Sequence, residues 1–407
     1  MSADKKEPEI RFKGFSGEWE QKPFRGCFDN IPNNTLSRAE LNYEHGIARN
    51  VHYGDVLIRF GEILDASDAS LPFITDENLV YKQKHAALRN GDIVIADAAE
   101  DSTVGKCTEL FNIDKQVILS GLHTIAVRPT LPFASKYLGY YLNSSSYHDQ
   151  LLPLMQGTKV LSISKTALQN TNINFPSKNE EQIKIGNTFQ KIDSLINQHQ
   201  QKHDKLSNLK KAMLEKMFPK HGETIPEIRF KGFSGEWEET VLSEIADKYD
   251  NFRIAVTAKD RIAGNTPYYG ANGIQDYVDG YTHDGEYILL AEDGANDLKN
   301  YPIHYVNGKV WINNHAHVLK AKENGSNIFL KYALNNIEYE PFLVGGGRAK
   351  LNASIMMNLV LTISTDIKEQ AAIGNFLQKL DTLINQHQQQ ITKLNNIKQA
   401  CLSKMFV

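Results

Sequence analysis

The chain has 407 residues, 41% of them hydrophobic and 23% charged, with a formal net charge of -3. That length holds two or three domains with real cores, and the mild acidity argues against nucleic-acid binding through bulk charge alone. No apolar run approaches the ~18 residues that span a bilayer, and the first residues, Met1–Glu7, lack the apolar core of a signal peptide, so a cytoplasmic protein without a membrane partner is expected. Cys27, Cys107 and Cys401 are odd in number and far apart, which fits reduced thiols better than disulfides or a clustered metal site.

In chain order, the first clear feature is Pro8–Glu20, which recurs without a change as Pro226–Glu238, 218 positions later. The segment after it, Gln21–Glu180, has short β-branched runs bounded by Gly, Asn and Asp. Asp55–Arg59, Gly91–Ala96 and His123–Val127 are predicted strands, and Ala134–Asn143 is a predicted helix. Asp101–Cys107 superficially resembles a phosphate-binding loop. Glu100 stands where its first glycine belongs and Cys107 where its metal-binding hydroxyl belongs, so both cradle and ligand fail. Near the end of the segment, Gly157–Lys165 sets Thr158, Lys159, Ser162, Ser164 and Lys165 beside a turn glycine.

Glu181–Phe218 then reads as one long amphipathic helix. Ile185, Phe189, Ile192, Ile196, His199, His203 and Leu206 alternate in steps of four and three, the seam of a helix packed on a partner helix. At ~1.5 Å per residue such a helix is about 57 Å long, well beyond ordinary globular length.

The second half repeats this plan. Gln21–Glu180 gives way to Glu239–Lys368, with predicted strands at Tyr287–Ala291 and Lys309–Asn313 and a predicted helix at Ile328–Asn336. A second long helix, Glu369–Phe406, repeats the first 188 positions later and carries its own seam of Ile373, Leu377, Leu380, Ile384, His387, Ile391 and Leu394. Two matching seams predict pairing of the helices within one chain, with His199 and His387 as polar seam residues that set register. Two separate surface helices are the alternative. The offsets of 218 and 188 mark an internal duplication whose first insert is 30 residues longer, and the two inserts share little obvious sequence.

Chemistry-bearing patterns are sparse. There is no GxSxG elbow, no HExxH and no GxGxxG with the required spacing, and no Asn-Pro-Pro-Tyr-like segment to hold an extruded adenine. His315 and His317, with His283 and His304, suit packing or polar contact on a strand as well as metal ligation. The pattern is that of a reader. Lys106, the Gly157–Lys165 loop and its counterpart Gly345–Lys350, with Arg348 and Lys350, offer cations and close backbone for phosphates. Tyr269 and Asn272 sit on a Gly-flanked turn, and Asn314 and His315 are further candidates for DNA contact; an Asn side chain can bond an adenine edge bidentately. Each set reads equally as solvated loops.

The order of these features resembles the specificity subunit of type I restriction-modification enzymes. The resemblance rests on Phe15–Glu20 and its copy, Ser120–Pro129, Thr266–Gly273, Asn313–Val318, the Glu-Gln pairs at 181 and 369, and the two Lys-Met-Phe endings. It implies an α+β chain with target recognition domains at 1–180 and 219–368. These would be held apart by spacer helices at 181–218 and 369–407, forming an antiparallel coiled coil about a pseudo-twofold axis. It further implies a chain that is not itself catalytic. Each domain would read one half of a bipartite site in double-stranded DNA, two modification (methyltransferase) subunits would dock on the scaffold, and restriction subunits would supply translocation and cleavage. S-adenosylmethionine, ATP and magnesium would sit on those partners. One departure is that the inserts are acidic, with fifteen bases against seventeen acids in the first and twelve against sixteen in the second. The rivals are a self-contained restriction or modification enzyme and a scaffold that binds no DNA.

Overall fold

The computed structural model describes residues 6–345 and 349–407. Both long helices form, Asn179–Met217 and Ile367–Lys404. The chain packs as two compact units: one runs from the N-terminus to His199 and takes in Gln390–Val407, and the other is Gln200–Gln389. Each unit therefore holds the start of one long helix and the end of the other.

In the first unit a five-stranded sheet runs in the order Phe28–Ile31, Thr124–Pro129, Ile93–Ala96, Cys107–Phe111, Ile63–Asp65, antiparallel except for its last pair. A four-stranded sheet built on Ala48–Val51 and Val117–Ser120 lies outside that frame. In the second unit Ala246–Lys248, Ala316–Ala321, His283–Ala291, Ile303–Ile312 and Ala263–Gly270 repeat the five-strand order, again with only the last pair parallel, and Gly273–Val278 adds a sixth strand. The inserts thus share a topology that their sequences hide. Their central strands are buried along continuous apolar runs such as Ile93–Ala96 and Ile288–Ala291, and many sequences supply such a run.

The invariant opening motif is explained by what it holds. Arg11 grips Glu181 through Nε and Nη2 at 2.8 and 2.9 Å and donates to Gly17 O; Arg229 grips Glu369 at 2.5 and 2.7 Å and donates to Gly235 O. Each glutamate lies in the first turn of a long helix, where a carboxylate also suits the helix dipole. Trp19 packs edge-on against Phe406 at 6.3 Å in the first unit, and Trp237 against Phe218 at 5.7 Å in the second. The backbone follows suit: Ile10 N donates to Lys404 O and Ile228 N to Lys216 O.

The seams split by depth. Ile185, Phe189 and Ile192 are buried in the first core, and Ile373, Leu377 and Leu380 in the second, whereas Ile196, His199, Ile384 and His387 are only partly covered. In the first unit the two helix segments run antiparallel, because Phe189 stacks on Phe406 at 5.6 Å while Asp193, further along, meets Lys398, further back. Lys398 Nζ lies 2.7 Å from Asp193, whose other oxygen accepts from Tyr140 Oη at 2.7 Å. Lys210, Asp381 and Tyr332 repeat this triad in the second unit, at 2.5 and 2.6 Å. Gly374 is needed beside these contacts: a Cβ there would come within 2.9 Å of Phe329 backbone, so a side chain would force the helix and its domain apart. At Gly186 a Cβ would meet Lys136 backbone at 3.2 Å, a tight contact that asks for a few tenths of an ångström of adjustment.

One sequence expectation is corrected. Asp55–Arg59 is not a strand but part of a helix, Tyr53–Ile58, started by His52, whose Nδ1 accepts from Gly54 N at 3.2 Å. Burial falls on Asp55, Val56 and Phe60 while Ile58 is 84% exposed, a helical spacing that a five-residue apolar run cannot reveal. The remaining predicted strands overlap observed ones, Ile93–Ala96, Thr124–Pro129, His283–Ala291 and Ile303–Ile312, and the two predicted domain helices are Tyr137–Leu142 and Asn327–Asn335.

Candidate nucleic-acid interface

In the first unit the Gly157–Lys165 loop is a tight excursion. Gln156 and Ser162 exchange backbone hydrogen bonds at 2.9 and 2.8 Å, and Gly157 adopts a φ of +115° that favours glycine. The loop is pinned to the sheet by Ser162 pairing with Ala98 and by Ile163 N donating to Asp97 O. Thr158, Lys159, Ser162 and Lys165 are exposed on it. Ser164 caps the helix Lys165–Gln169 by accepting from Ala167 N at 3.1 Å, so its hydroxyl has a structural use. Asp97 faces His123 at 3.3 Å; burial pushes its carboxyl up, opposed by His123 and Lys165. Lys106 behaves otherwise. Its ammonium donates to Leu57 O at 2.8 Å and burial pulls its pKa down, so that charge is spent on the protein's own chain.

In the second unit three loops converge on a segment that sequence reasoning passed over, Glu292–Asn296. Glu292 N donates to His315 O, and Leu351 N donates to Glu292 O. His315 Nδ1 lies 2.5 Å from Asp293 Oδ1, and Asp293 bridges to Lys350 through the backbone. Asn272, on the two-residue turn between Gly270 and Gly273, uses its whole amide here: Nδ2 donates to Gly294 O at 2.9 Å and Oδ1 accepts from Asn296 N at 3.0 Å. The donor–acceptor pair proposed for an adenine edge thus holds two loops together. Tyr269 is half-buried, with its carbonyl accepting from Asn313 N, and Asn314 is exposed beside it. Arg348 lies outside the described residues.

Beneath these loops lies a charge network. Asp250, Glu292 and His317 bring potential metal-ligating atoms within 4.8 Å of one another. Their partners argue for ion pairing instead. Arg253 reaches Glu292 at 2.7 Å and Asp250 at 3.5 Å, and Lys350 reaches Glu292 at 3.0 Å. His317 is 1% exposed, with Nδ1 2.8 Å from Asp250 and Nε2 2.9 Å from Leu351 O, so both ring nitrogens already have protein partners. A metal would have to displace these cations. Burial raises the carboxyls of Asp250 and Glu292, but hydrogen bonds from His317 to the first and from Arg253 and Lys350 to the second outweigh it and hold both below the ordinary range. The signal that could have found this hub is the acidic Glu292-Asp293 pair placed just after a strongly apolar strand.

Comparison with known proteins bears on what these loops serve. A family model described as the type I restriction modification DNA specificity domain matches residues 48–208 and again 234–396. The chain belongs to this family. Relatives in the specificity family include a protein of Haemophilus influenzae named as a type I restriction enzyme specificity subunit, 42% identical over 167 residues, covering 41% of this chain and 43% of that one. Another is the type I restriction enzyme EcoprrI specificity subunit of Escherichia coli, 26% identical over 135 residues, covering 33% and 32%. These matches span less than half the length of either relative. The S subunit of a type I restriction-modification system from M. genitalium has the same fold, with a TM-score of 0.71 at 16% identity over 98% of this chain and 99% of that one. Among the described residues, no helix of this specificity-family chain is long and apolar enough to cross a membrane.

Proposed function

We propose that the chain is the DNA sequence-recognition subunit of a type I restriction-modification complex. Each unit reads one half of a bipartite, asymmetric site, and the long helices set the unread gap and scaffold two modification subunits. The observation that carries this reading is a duplicated five-strand frame presenting two different loop sets, Gly157–Lys165 in one unit and the loops around Glu292–Asn296 in the other. Shared framing with divergent tips suits two different half-sites. Lys159, Lys165 and Lys350 contact phosphates, which position the protein without carrying sequence, while exposed polar groups such as Thr158, Ser162 and Asn314 face base edges.

The chain is not catalytic by itself in this reading. Methyl transfer, translocation and cleavage, with their S-adenosylmethionine, ATP and magnesium, belong to the modification and restriction subunits, which also supply much of the positive groove that the acidic inserts lack. Footprinting the chain with and without its modification subunit tests the proposal. Protection of two short blocks separated by an unprotected gap, strengthened by that subunit, is expected. Unprotected DNA in both cases would leave a scaffold that reads nothing, and labelled methyl groups entering DNA from the chain alone would make it an enzyme.

A further inference from the structure

The shared frame exposes one place where the two units differ in volume. In the first, Thr130 N donates to Cys27 O and Ala134 N to Gln182 Oε1; in the second, Lys322 N donates to Ile245 O and Ser326 N to Gln370 Oε1. Equal numbers of residues separate these anchors, so Phe133 and Gly325 hold equivalent positions. The ring of Phe133 lies 5.0 Å from that of Phe175, 6.3 Å from Phe28 and 6.5 Å from Tyr137, filling the space between them. The corresponding residues of the second unit are Ile363, Ala246 and Phe329. With Phe133 replaced by glycine and Phe28 by alanine, the second unit keeps a cavity of about 460 Å³.

Apolar side chains of Ile245, Phe329 and Ile363 line this cavity together with the exposed acids Glu244, Asp247 and Glu323. Its one lining lysine, Lys322, turns its ammonium to Ser243 O at 2.9 Å. We propose that the cavity receives an aromatic side chain from a basic segment of a partner protein, one such segment per chain. The chain's own solution in the first unit shows that a ring fits this frame, and the three acids select flanking Lys or Arg. Because Phe133 closes the equivalent place in the first unit, the partner binds once although the frame occurs twice. This docking site does not depend on the DNA-reading proposal.

The test uses the full chain with labelled isoleucine methyl groups and the peptide acetyl-Lys-Trp-Lys-amide as probe. Saturable shifts of the Ile245 and Ile363 methyl signals are expected, with acetyl-Lys-Ala-Lys-amide and acetyl-Glu-Trp-Glu-amide binding at least about ten-fold more weakly. Gly325→Phe should abolish the shifts; its φ is ordinary, and an added Cβ meets only Ala321 Cβ at 3.2 Å and Lys322 O at 3.4 Å. Should that variant fail to fold, Asp247→Asn with Glu323→Gln decides, since both side chains are exposed and their loss should weaken the peptide several-fold. Absence of saturable shifts, equal binding of the alanine peptide, binding that survives in a folded Gly325→Phe chain, or undiminished affinity in the charge-neutralised pair would overturn the proposal.

Discussion

Single side chains in this protein divide according to whether the fold already uses them. Lys159 and Lys165 are exposed on their loop, whereas Lys106 is tied to Leu57 O and Lys350 to Glu292. We expect Lys159→Ala with Lys165→Ala to make the log–log salt dependence of DNA binding by the assembled complex shallower by up to ~1.8, about 0.9 per lost phosphate contact. Lys350→Ala should change it less and Lys106→Ala not at all; an unchanged slope in the Lys159/Lys165 pair would remove that loop from the DNA. Glu109 gives a second, independent reading. Burial pushes its carboxyl up to about 7, although backbone N–H groups of Gly139 and Lys136 pull the other way. Because its folded pKa is raised, the protonated form favours folding: stability is full below about pH 4.5 and is lost as pH rises through about 7, by on the order of 3 kcal/mol. Denaturant melts at pH 5 and pH 8 should show that loss in the wild type, and in Glu109→Gln the difference between the two pH values should shrink by a similar amount.

At the scale of elements, the two triads that fasten the long helices are equivalent in geometry but not in charge. Lys398 serves two carboxylates, Asp193 and Glu62, each at 2.7 Å, while Asp381 is served by two lysines, Lys210 at 2.5 Å and Lys331 at 3.1 Å. Removing Lys398 leaves two carboxylates that are largely covered and have lost their cation. Removing Lys210 leaves Asp381 still paired. Lys398→Ala should therefore cost about 2–4 kcal/mol and Lys210→Ala roughly 1 kcal/mol or less, measured by chemical denaturation. Equal costs would mean that packing rather than charge fastens the helices. The same scale explains the misread segment at Asp55: a five-residue run has too few periods to separate two from 3.6, and a His cap decided the outcome locally.

For the whole molecule, the proposed function turns the long helices into a ruler on DNA. Adding one heptad to each, after Lys202 and after Gln390, preserves seam phase and adds ~10 Å of helix, about three base pairs. We expect the unread gap, mapped by methylation of randomised sites, to grow by about three base pairs while both half-sites keep their sequence. Methylation persisting at the original gap would show that the helices do not set it. Exchanging Gln21–Glu180 for the corresponding segment of another family member should change one half-site alone, and a change in both would refute independent reading by the two units.

Much of this organisation was written in the residues themselves. The duplication, both long helices, their buried seam positions and the family follow from repeats and periodicity, because spacing along a chain is preserved whatever the chain packs against. The strict repetition of Arg11 and Arg229 was visible too, but their grip on Glu181 and Glu369 was not, since those contacts cross 170 and 140 residues. Tertiary structure alone decided that the dissimilar inserts share one sheet order, that Asn272 spends its amide on Gly294 and Asn296, that Lys106 turns away from the loops, and that Glu292 gathers them. Each depends on which side chains meet across long loops, and local propensity carries no information about partners that only folding brings together. The cavity beside Gly325 is the sharpest case: glycine in a turn is unremarkable in sequence, and only its overlap with Phe133 in the repeated frame shows that a ring is missing.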